Sequence, residues 1–525
     1  FAFSRLAIID LSEQGMQPMF SLDKKVCILF NGEIYGYKRL RKDLIKRGYM
    51  FRSVSDTEVL LNAYLEWGEK FVTKIDGMFS IAVYDGRDKK IRLFRDRIGI
   101  KPLYYFYDGR NFGFASELKG IVNMCSTIRF KVDNTSIYDY INYLYIPEPK
   151  TLYKNVYKLL PGYCLTFDLS TKRILKNSSY WKLIVNPIQG KQRKQSELIE
   201  ELKLIIKESV EEQMIADVSV GTFLSGGVDS GIVTYESSQI NPQLEAFSVG
   251  FDDIQYNELE YAHEIANAYG VRLTSQIFSR KFFRKYYTKL KEWVDEPFGD
   301  ISVYPTYLVS KIARNKVTVV LTGDGGDEVF GGYEKYRLLR KKEEENGPDN
   351  LLVTAIYNRY RKSKLKDYYW QDDLSFLLGC YGWHYKISDN DIRKRLQIDN
   401  EYDMLWAMRK YYCKDFPPIT RAQYMDFKTY LPGDILTKVD RASMAVSLEA
   451  RVPLLSRKLI EFSFSLSEQD RCPQGELKGL LKIAYSNEIG KRILNRSKMG
   501  FNVPESYFGN RKSPQEYMMS EIWKI

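Results

Sequence analysis

Two glycine-rich stretches hold the residues best suited to chemistry. The first is Thr222-Phe-Leu-Ser-Gly-Gly-Val-Asp-Ser-Gly231. It reads as the end of a buried strand (Val218, Val220, Phe223, Leu224), a turn, and a helix from about Ser230. Such a turn aims unpaired backbone N–H groups and the positive end of a helix dipole at one point, which suits a phosphate. Gly226 and Gly227 let a ligand approach the backbone closely, and Ser225 and Ser230 add hydroxyl donors. Asp229 beside a phosphate requires a cation between them, so it reads as a Mg²⁺ ligand. The lysine and spacing of a Walker A loop are absent. The plain alternative is an ordinary strand-to-helix turn.

The second stretch is Thr322-Gly-Asp-Gly-Gly-Asp-Glu-Val-Phe-Gly-Gly-Tyr333. Its carboxylates Asp324, Asp327 and Glu328 repel one another, so a stable fold needs a cation or donors among them. An acidic surface turn is the alternative. Against it, both stretches follow a buried apolar run, 218–224 in one case and 316–322 in the other. A further strand is predicted at 244–251, and a helix at 197–213 from the spacing of Leu198, Leu202, Ile205, Ile206 and Val210. Strands alternating with helices predict an α/β domain with a parallel sheet and ligands at the carboxyl strand ends.

The first part of the chain has a different pattern. Short apolar-rich runs at 26–30, 78–84, 91–94, 103–106 and 112–115 are separated by turn signals such as Asp85-Gly86 and Asp108-Gly109. Two helices interrupt them near 36–48 and 57–67, and an opening strand is predicted from Phe3, Leu6 and Ile8. This is an α+β pattern with packed sheets. Residues 186–196, polar with Pro and Gly, read as a linker. The expected division is therefore 1–185, a linker at 186–196, and 197–525.

A chain of 525 residues suggests two or three domains. No apolar run is long enough for a membrane span, and no signal peptide is visible, so neither membrane nor export is expected. The six cysteines are scattered without a C-x-x-C pair and read as reduced cytoplasmic thiols. With only two histidines, His-based triads and multi-His metal sites are disfavoured. The net charge of +12 is spread along the chain without a nucleic-acid-binding signature, so no nucleic-acid partner is expected.

Ser225-Gly-Gly-Val-Asp-Ser230 resembles the pyrophosphate loop of ATP pyrophosphatases, and its surroundings resemble the glutamine-dependent asparagine synthetase family. Supporting segments are Ser4-Arg-Leu-Ala-Ile-Ile-Asp10, Asn31-Gly-Glu-Ile-Tyr35, Ser55-Asp-Thr-Glu58, Asp295-Glu-Pro-Phe-Gly-Asp300, the run 431–455 and Arg496-Ser-Lys-Met-Gly-Phe501. The resemblance implies an α+β N-terminal-nucleophile glutaminase domain followed by an α/β ATP-pyrophosphatase-like domain. It implies that Arg5 holds a glutamine carboxylate. Asn31 and Gly32 would form an oxyanion hole, and Glu33 and Asp56 would recognise the glutamine amide and amino group. Taken alone, Asn31-Gly32 also reads as a hairpin turn. The family's nucleophile, a cysteine at the processed N-terminus, has no counterpart here, because the sequence begins at Phe1. The glutaminase domain is thus expected to be incomplete and the chain as written unable to hydrolyse glutamine. Cys27, inside a predicted strand, is no substitute.

In the second domain the resemblance adds Val249 as an adenine contact, with Thr322 and Gly323 also at the nucleotide. It places Asp327 beside Asp229 on Mg²⁺, Asp324 near the adenylate, and Lys498 against the negative charge that develops as ammonia attacks. Lys438, Asp440, Arg441, Glu449 and Arg451 are expected to form a paired network, since buried charges must be paired. The function implied is an ATP- and Mg²⁺-dependent ligase that makes asparagine from aspartate through an acyl-adenylate, with nitrogen from glutamine or ammonia. Two rivals stand beside it: a relative acting on another carboxylate, such as a sugar acid, or closing a β-lactam ring, and a non-enzymatic homologue. A homodimer is the assembly considered.

Overall fold

A computed structural model describes residues 1–124, 128–185, 193–344, 389–496, 500–508 and 518–524. Among the described residues, the first half holds nine strands: β1 (Met19–Phe20), β2 (Val26–Tyr35), β3 (Asp76–Asp85), β4 (Lys90–Arg95), β5 (Tyr104–Tyr107), β6 (Phe112–Ala115), β7 (Val156–Lys158), β8 (Tyr163–Asp168) and β9 (Arg173–Ser179). They form an antiparallel six-stranded sheet, β1-β2-β3-β4-β8-β9, and a three-stranded sheet, β6-β5-β7. The sheets are packed, as the pattern predicts: Leu29, Leu93 and Leu165 of the larger one meet Leu103, Tyr105 and Leu159. Strand residues alternate between faces. Ile28, Phe30 and Ile34 accordingly join Val59, Leu60 and Ala63 of the helix Asp56–Trp67 in a second layer.

The predicted opening strand does not form; residues 1–11 have no regular structure. Their backbone groups bond elsewhere. The Asp10 N–H donates to Asp217 Oδ2 at 2.8 Å, and the Asp217 N–H donates to the Ile8 carbonyl at 2.9 Å. The hairpin-turn reading of Asn31-Gly32 also fails. Both residues lie inside β2, opposite Ser80 and Phe79 of β3. Gly32 has φ +145°, and a Cβ there would lie 1.9 Å from the Met78 carbonyl oxygen. Glycine serves close strand approach here, not a turn.

Among the described residues, the second half is built on five parallel strands: β10 (Val220–Phe223), β11 (Glu245–Phe251), β12 (Arg272–Phe278), β13 (Val319–Leu321) and β14 (Glu449–Arg451). Their order is β12-β11-β10-β13-β14. β11 and β13 are apolar and almost wholly buried, as a parallel sheet covered by helices requires, whereas the edge strand β12 is largely exposed and β14 buries the charged Glu449 and Arg451. The helix Gln195–Gln213 buries Leu198, Leu202, Ile206 and Val210 against it. Among the described residues, no helix is long and apolar enough to cross a membrane.

Candidate active site

Strand order fixes where the chemistry can sit. From β10 the chain winds outward through β11 and β12, then returns to β13 on the other side. Connections leave β10 and β13 in opposite directions, which opens a crevice at their carboxyl ends. Both glycine-rich loops begin there. After β10, Gly226 and Gly227 make the turn, and the helix Val228–Ile240 starts two residues earlier than the sequence suggests. Its N-cap, Gly227, supplies no side-chain cap, so first-turn N–H groups are left for a ligand. The Ser225 and Ser230 hydroxyls lie 3.0 Å apart, and the Ser225 N–H donates to Ser230 Oγ at 3.2 Å. After β13, buried Thr322 donates its N–H to the Arg451 carbonyl at 2.8 Å. A Cβ on Gly323 would lie 2.6 Å from the Ser230 backbone nitrogen. The two loops therefore touch backbone to backbone, which only glycine allows.

The structure brings Asp229 and Asp327 together through a residue that sequence reasoning missed. Lys478 lies just ahead of the helix Gly479–Ala484, and its ammonium pairs with Asp229 and, at 2.6 Å, with Asp327 Oδ1. Burial works against its charge, but the two carboxylates outweigh this and hold its pKa above the ordinary lysine value. No local pattern marks this lysine, and about 250 residues separate it from Asp229. Among the described residues, no group of three or more His, Cys, Asp or Glu side chains forms a metal cluster. Two carboxylates converging on one cation still fit Mg²⁺, which takes one or two protein carboxylates and completes its shell with phosphates and water. Asp324 is half-buried at the crevice, its N–H donating to Thr322 Oγ1 at 3.4 Å. Val249 is buried in β11, beside β10. Lys498 lies outside the described residues.

On the first sheet, Asn31 and Glu33 point to the same face of β2. The Asn31 amide donates to Ser116 Oγ at 3.3 Å. Asp56, at the start of its helix, accepts from the Ile34 N–H at 3.2 Å. Burial pushes the Asp56 carboxyl up to about 6. Burial, then the Asp56 charge, pushes Glu33 well above the usual carboxylate range. Glu33 and Asp56 are thus adjacent. Arg5 is engaged elsewhere: its guanidinium donates to the carbonyls of Ser12 (2.9 Å), Ile9 (3.0 Å) and Asp10. Cys27 is buried in β2, and burial pushes its thiol up to about 11, far from a nucleophile's range.

The network residues are paired, and all but the Lys438 and Glu449 pairs tie the halves together. Lys438 pairs with Asp300 at 3.2 Å, Asp440 with Lys101 at 3.2 Å, and Arg441 with Glu117 at 3.2 Å. Arg451, fully buried, holds Glu449 and Glu33 at 2.8 Å each and donates to the carbonyls of Gln213 and Ile215 at 2.7 Å. The residue that anchors Thr322 through its backbone thus grips Glu33 with its side chain.

Residues 201–522 match the asparagine synthase family, and residues 1–181 match the glutamine amidotransferase domain. The glutamine-hydrolysing asparagine synthetase 1 of Bacillus subtilis (strain 168) is 34% identical over 514 residues, covering 96% of this chain and 80% of that protein. A Mycobacterium tuberculosis relative (strain H37Rv) is 30% identical over 520 residues, covering 96% and 79%. Combining a glutamine amidotransferase domain with a synthase domain on a parallel sheet, the chain belongs to the asparagine synthetase family and is an ATP-dependent amidotransferase of the ligase class.

Proposed function

We propose that this chain makes asparagine from aspartate in the cytoplasm, through an acyl-adenylate with release of pyrophosphate and then AMP. The reading divides the chain into a glutaminase domain (1–185), a linker (186–196) and a synthetase domain (197–525). The observation that carries it is the meeting of two glycine-rich loops at the switch point, with Asp229 and Asp327 converging on one cation. Ser225, Gly226, Gly227 and Ser230 donate to the pyrophosphate portion of ATP, with the helix N-terminus behind them. Val249, Thr322 and Gly323 border the nucleoside end. Asp229 and Asp327 would hold Mg²⁺, which when bound neutralises charge on the polyphosphate. Lys478 keeps these carboxylates together. A carboxylate is a poor electrophile, so adenylation supplies the leaving group that ammonia displaces. Asp324 stands where ammonia arrives, and Lys498 offsets the charge that develops during attack. Excluding water from this crevice protects the adenylate.

In the glutaminase domain, the Asn31 amide and Gly32 N–H would stabilise the tetrahedral oxyanion. Glu33 and Asp56 would take the glutamine amide and amino group. Arg5 would exchange the loop carbonyls it now holds for the glutamine carboxylate. The four described cysteines are all free thiols, which supports a reducing compartment. The test is pyrophosphate release with ATP, Mg²⁺ and ammonium, with and without aspartate. Aspartate-dependent release that disappears in Asp229→Ala is the expected result. Release that ignores aspartate but responds to another carboxylate would assign a different acceptor.

A further inference from the structure

Away from the crevice, two lysines come together at the border between the halves with no carboxylate set against them. Lys428 ends the helix Pro418–Lys428. Its ammonium lies 5.3 Å from the ring centre of Trp181, which follows β9 in the first half. It lies 5.8 Å and 5.6 Å from the ring centres of Tyr424 and Phe427 on its own helix. The Trp181 ring is fixed by its indole N–H, which donates to Glu461 at 3.2 Å. Lys410 stands close by, its ammonium 5.2 Å from the Tyr411 ring, and that ring lies 6.4 Å from Tyr424. The segment that carries Lys410 and Tyr411 is pinned to the helix by Arg421. Its guanidinium donates to the carbonyls of Cys413 (3.2 Å), Lys414 (2.8 Å) and Phe416 (2.9 Å).

Lys428 is half-buried, as are Trp181, Tyr411 and Tyr424, and Lys410 is exposed beside them. Among the described residues, neither ammonium pairs with a carboxylate or donates a hydrogen bond. The carboxylate whose charge bears on Lys410 is Glu148, already held by Arg95 at 2.8 Å. Burial, then the Lys410 charge, lowers the Lys428 ammonium to about 8. Lys101, Lys438 and Arg441, by contrast, each face a carboxylate. Two like charges drawn out of water and left uncompensated favour whatever anion relieves both.

We propose that Lys410 and Lys428, with Trp181, Tyr411 and Tyr424, form a second ligand site, separate from the crevice, for a nucleoside monophosphate. The phosphate lies on the two ammoniums and the base on the aromatic rings. A phosphate monoester carries close to two negative charges at neutral pH, one for each lysine. Half-exposed aromatic rings offer faces on which a base stacks whatever its identity. A bare anion would use the lysines and leave the rings idle. AMP, which the proposed reaction releases, belongs to this class, but the site stands on its own geometry and does not depend on that reading.

The test is AMP binding to the full chain with the crevice occupied by Mg²⁺ and α,β-methylene-ATP, followed by calorimetry and indole fluorescence. AMP is expected to bind and to quench a fluorescence component that Trp181→Phe removes. Lys410→Met and Lys428→Met should each weaken AMP binding at least about tenfold, and Lys428→Arg, which keeps the charge, should retain most of it. Adenosine and inorganic phosphate, each lacking one half of the ligand, should each bind at least about tenfold more weakly than AMP. Asp229→Ala should leave AMP binding here unchanged. If Lys428→Met does not fold, the exposed Lys410→Met decides the matter. The site is overturned if no AMP binds once the crevice is filled, if both methionine variants bind AMP like the parent, or if Asp229→Ala abolishes binding and so puts AMP in the crevice. Phosphate binding as tightly as AMP would reduce the site to a bare anion patch, and adenosine binding as tightly would remove the lysines' role; either result overturns the assignment.

Discussion

The crevice at β10 and β13 and the seam around Arg451 use similar charged groups to opposite ends. In the seam each ionic partner is a fixed protein group. Arg451 spends its guanidinium on Glu449, Glu33 and two carbonyls, and Lys101 and Arg441 are likewise committed. In the crevice the fixed groups leave donors over. The helix Val228–Ile240 has no side-chain cap, and Lys478 stands between two carboxylates on separate loops. A charge network closed on itself builds architecture, whereas one with spare backbone donors and a cation held between two loops is suited to a ligand.

Breaking the crevice should cost activity far more than stability. Asp327→Ala is expected to lower aspartate-dependent pyrophosphate release by at least about a thousandfold, about 4 kcal/mol of transition-state stabilisation. Its urea midpoint should move little, because the substitution also relieves repulsion with Asp229. Equal losses of stability and activity would make the crevice no different from the seam. Breaking the seam should show the reverse. Arg451→Met strands two buried carboxylates and should destabilise the chain by about 3–5 kcal/mol in urea unfolding. Adding Glu33→Gln and Glu449→Gln should restore part of that loss.

A titration sharpens the contrast. Asp56 is raised from 3.8 in the unfolded chain to about 6 in the fold, so the native state binds its proton more tightly. Its favourable contribution is complete below about pH 4 and is lost as pH rises through about 6, for roughly 1–3 kcal/mol. Asp56→Asn should flatten this slope in stability measured from pH 4 to 7, with Glu33 supplying what remains. The smallest effect expected is that of Gly323→Ala. Its Cβ would press on the Ser230 backbone, which should cost about 1–2 kcal/mol and raise the ATP KM as the loops part. An ATP KM that does not change would mean the loop contact is not needed for binding.

Much of this was legible in the residues. Apolar runs marked β2 to β6, with β6 at 112–115 matched to the residue, because a buried face imposes a period of two; β2 runs on to Tyr35, and β1, β7, β8 and β9 were not read from the sequence. The glycine-rich loops announced the crevice, since backbone approach and acidic crowding are local properties. Other readings failed for physical reasons. Residues 1–11 carry strand-like alternation but find no neighbouring strand, their backbone bonding to Asp217 instead. Asn31-Gly32 reads as a turn only until β3 is seen packed against it.

By itself, the sequence determined two halves of different pattern, two phosphate-suited loops after buried strands, and acidic residues that needed a cation. Which cation met them was decided only in three dimensions. Lys478 looks like any other charged residue along the chain, and Arg451 was expected in a paired network but without its partners, because periodicity reports a residue's neighbours within a turn or a strand. Their roles come from partners far away: Asp229 for Lys478 and Glu33 for Arg451. Pairings at that distance are set by strand order and by the balance between desolvation and ion pairing in the packed core, and neither is written in any local stretch of residues.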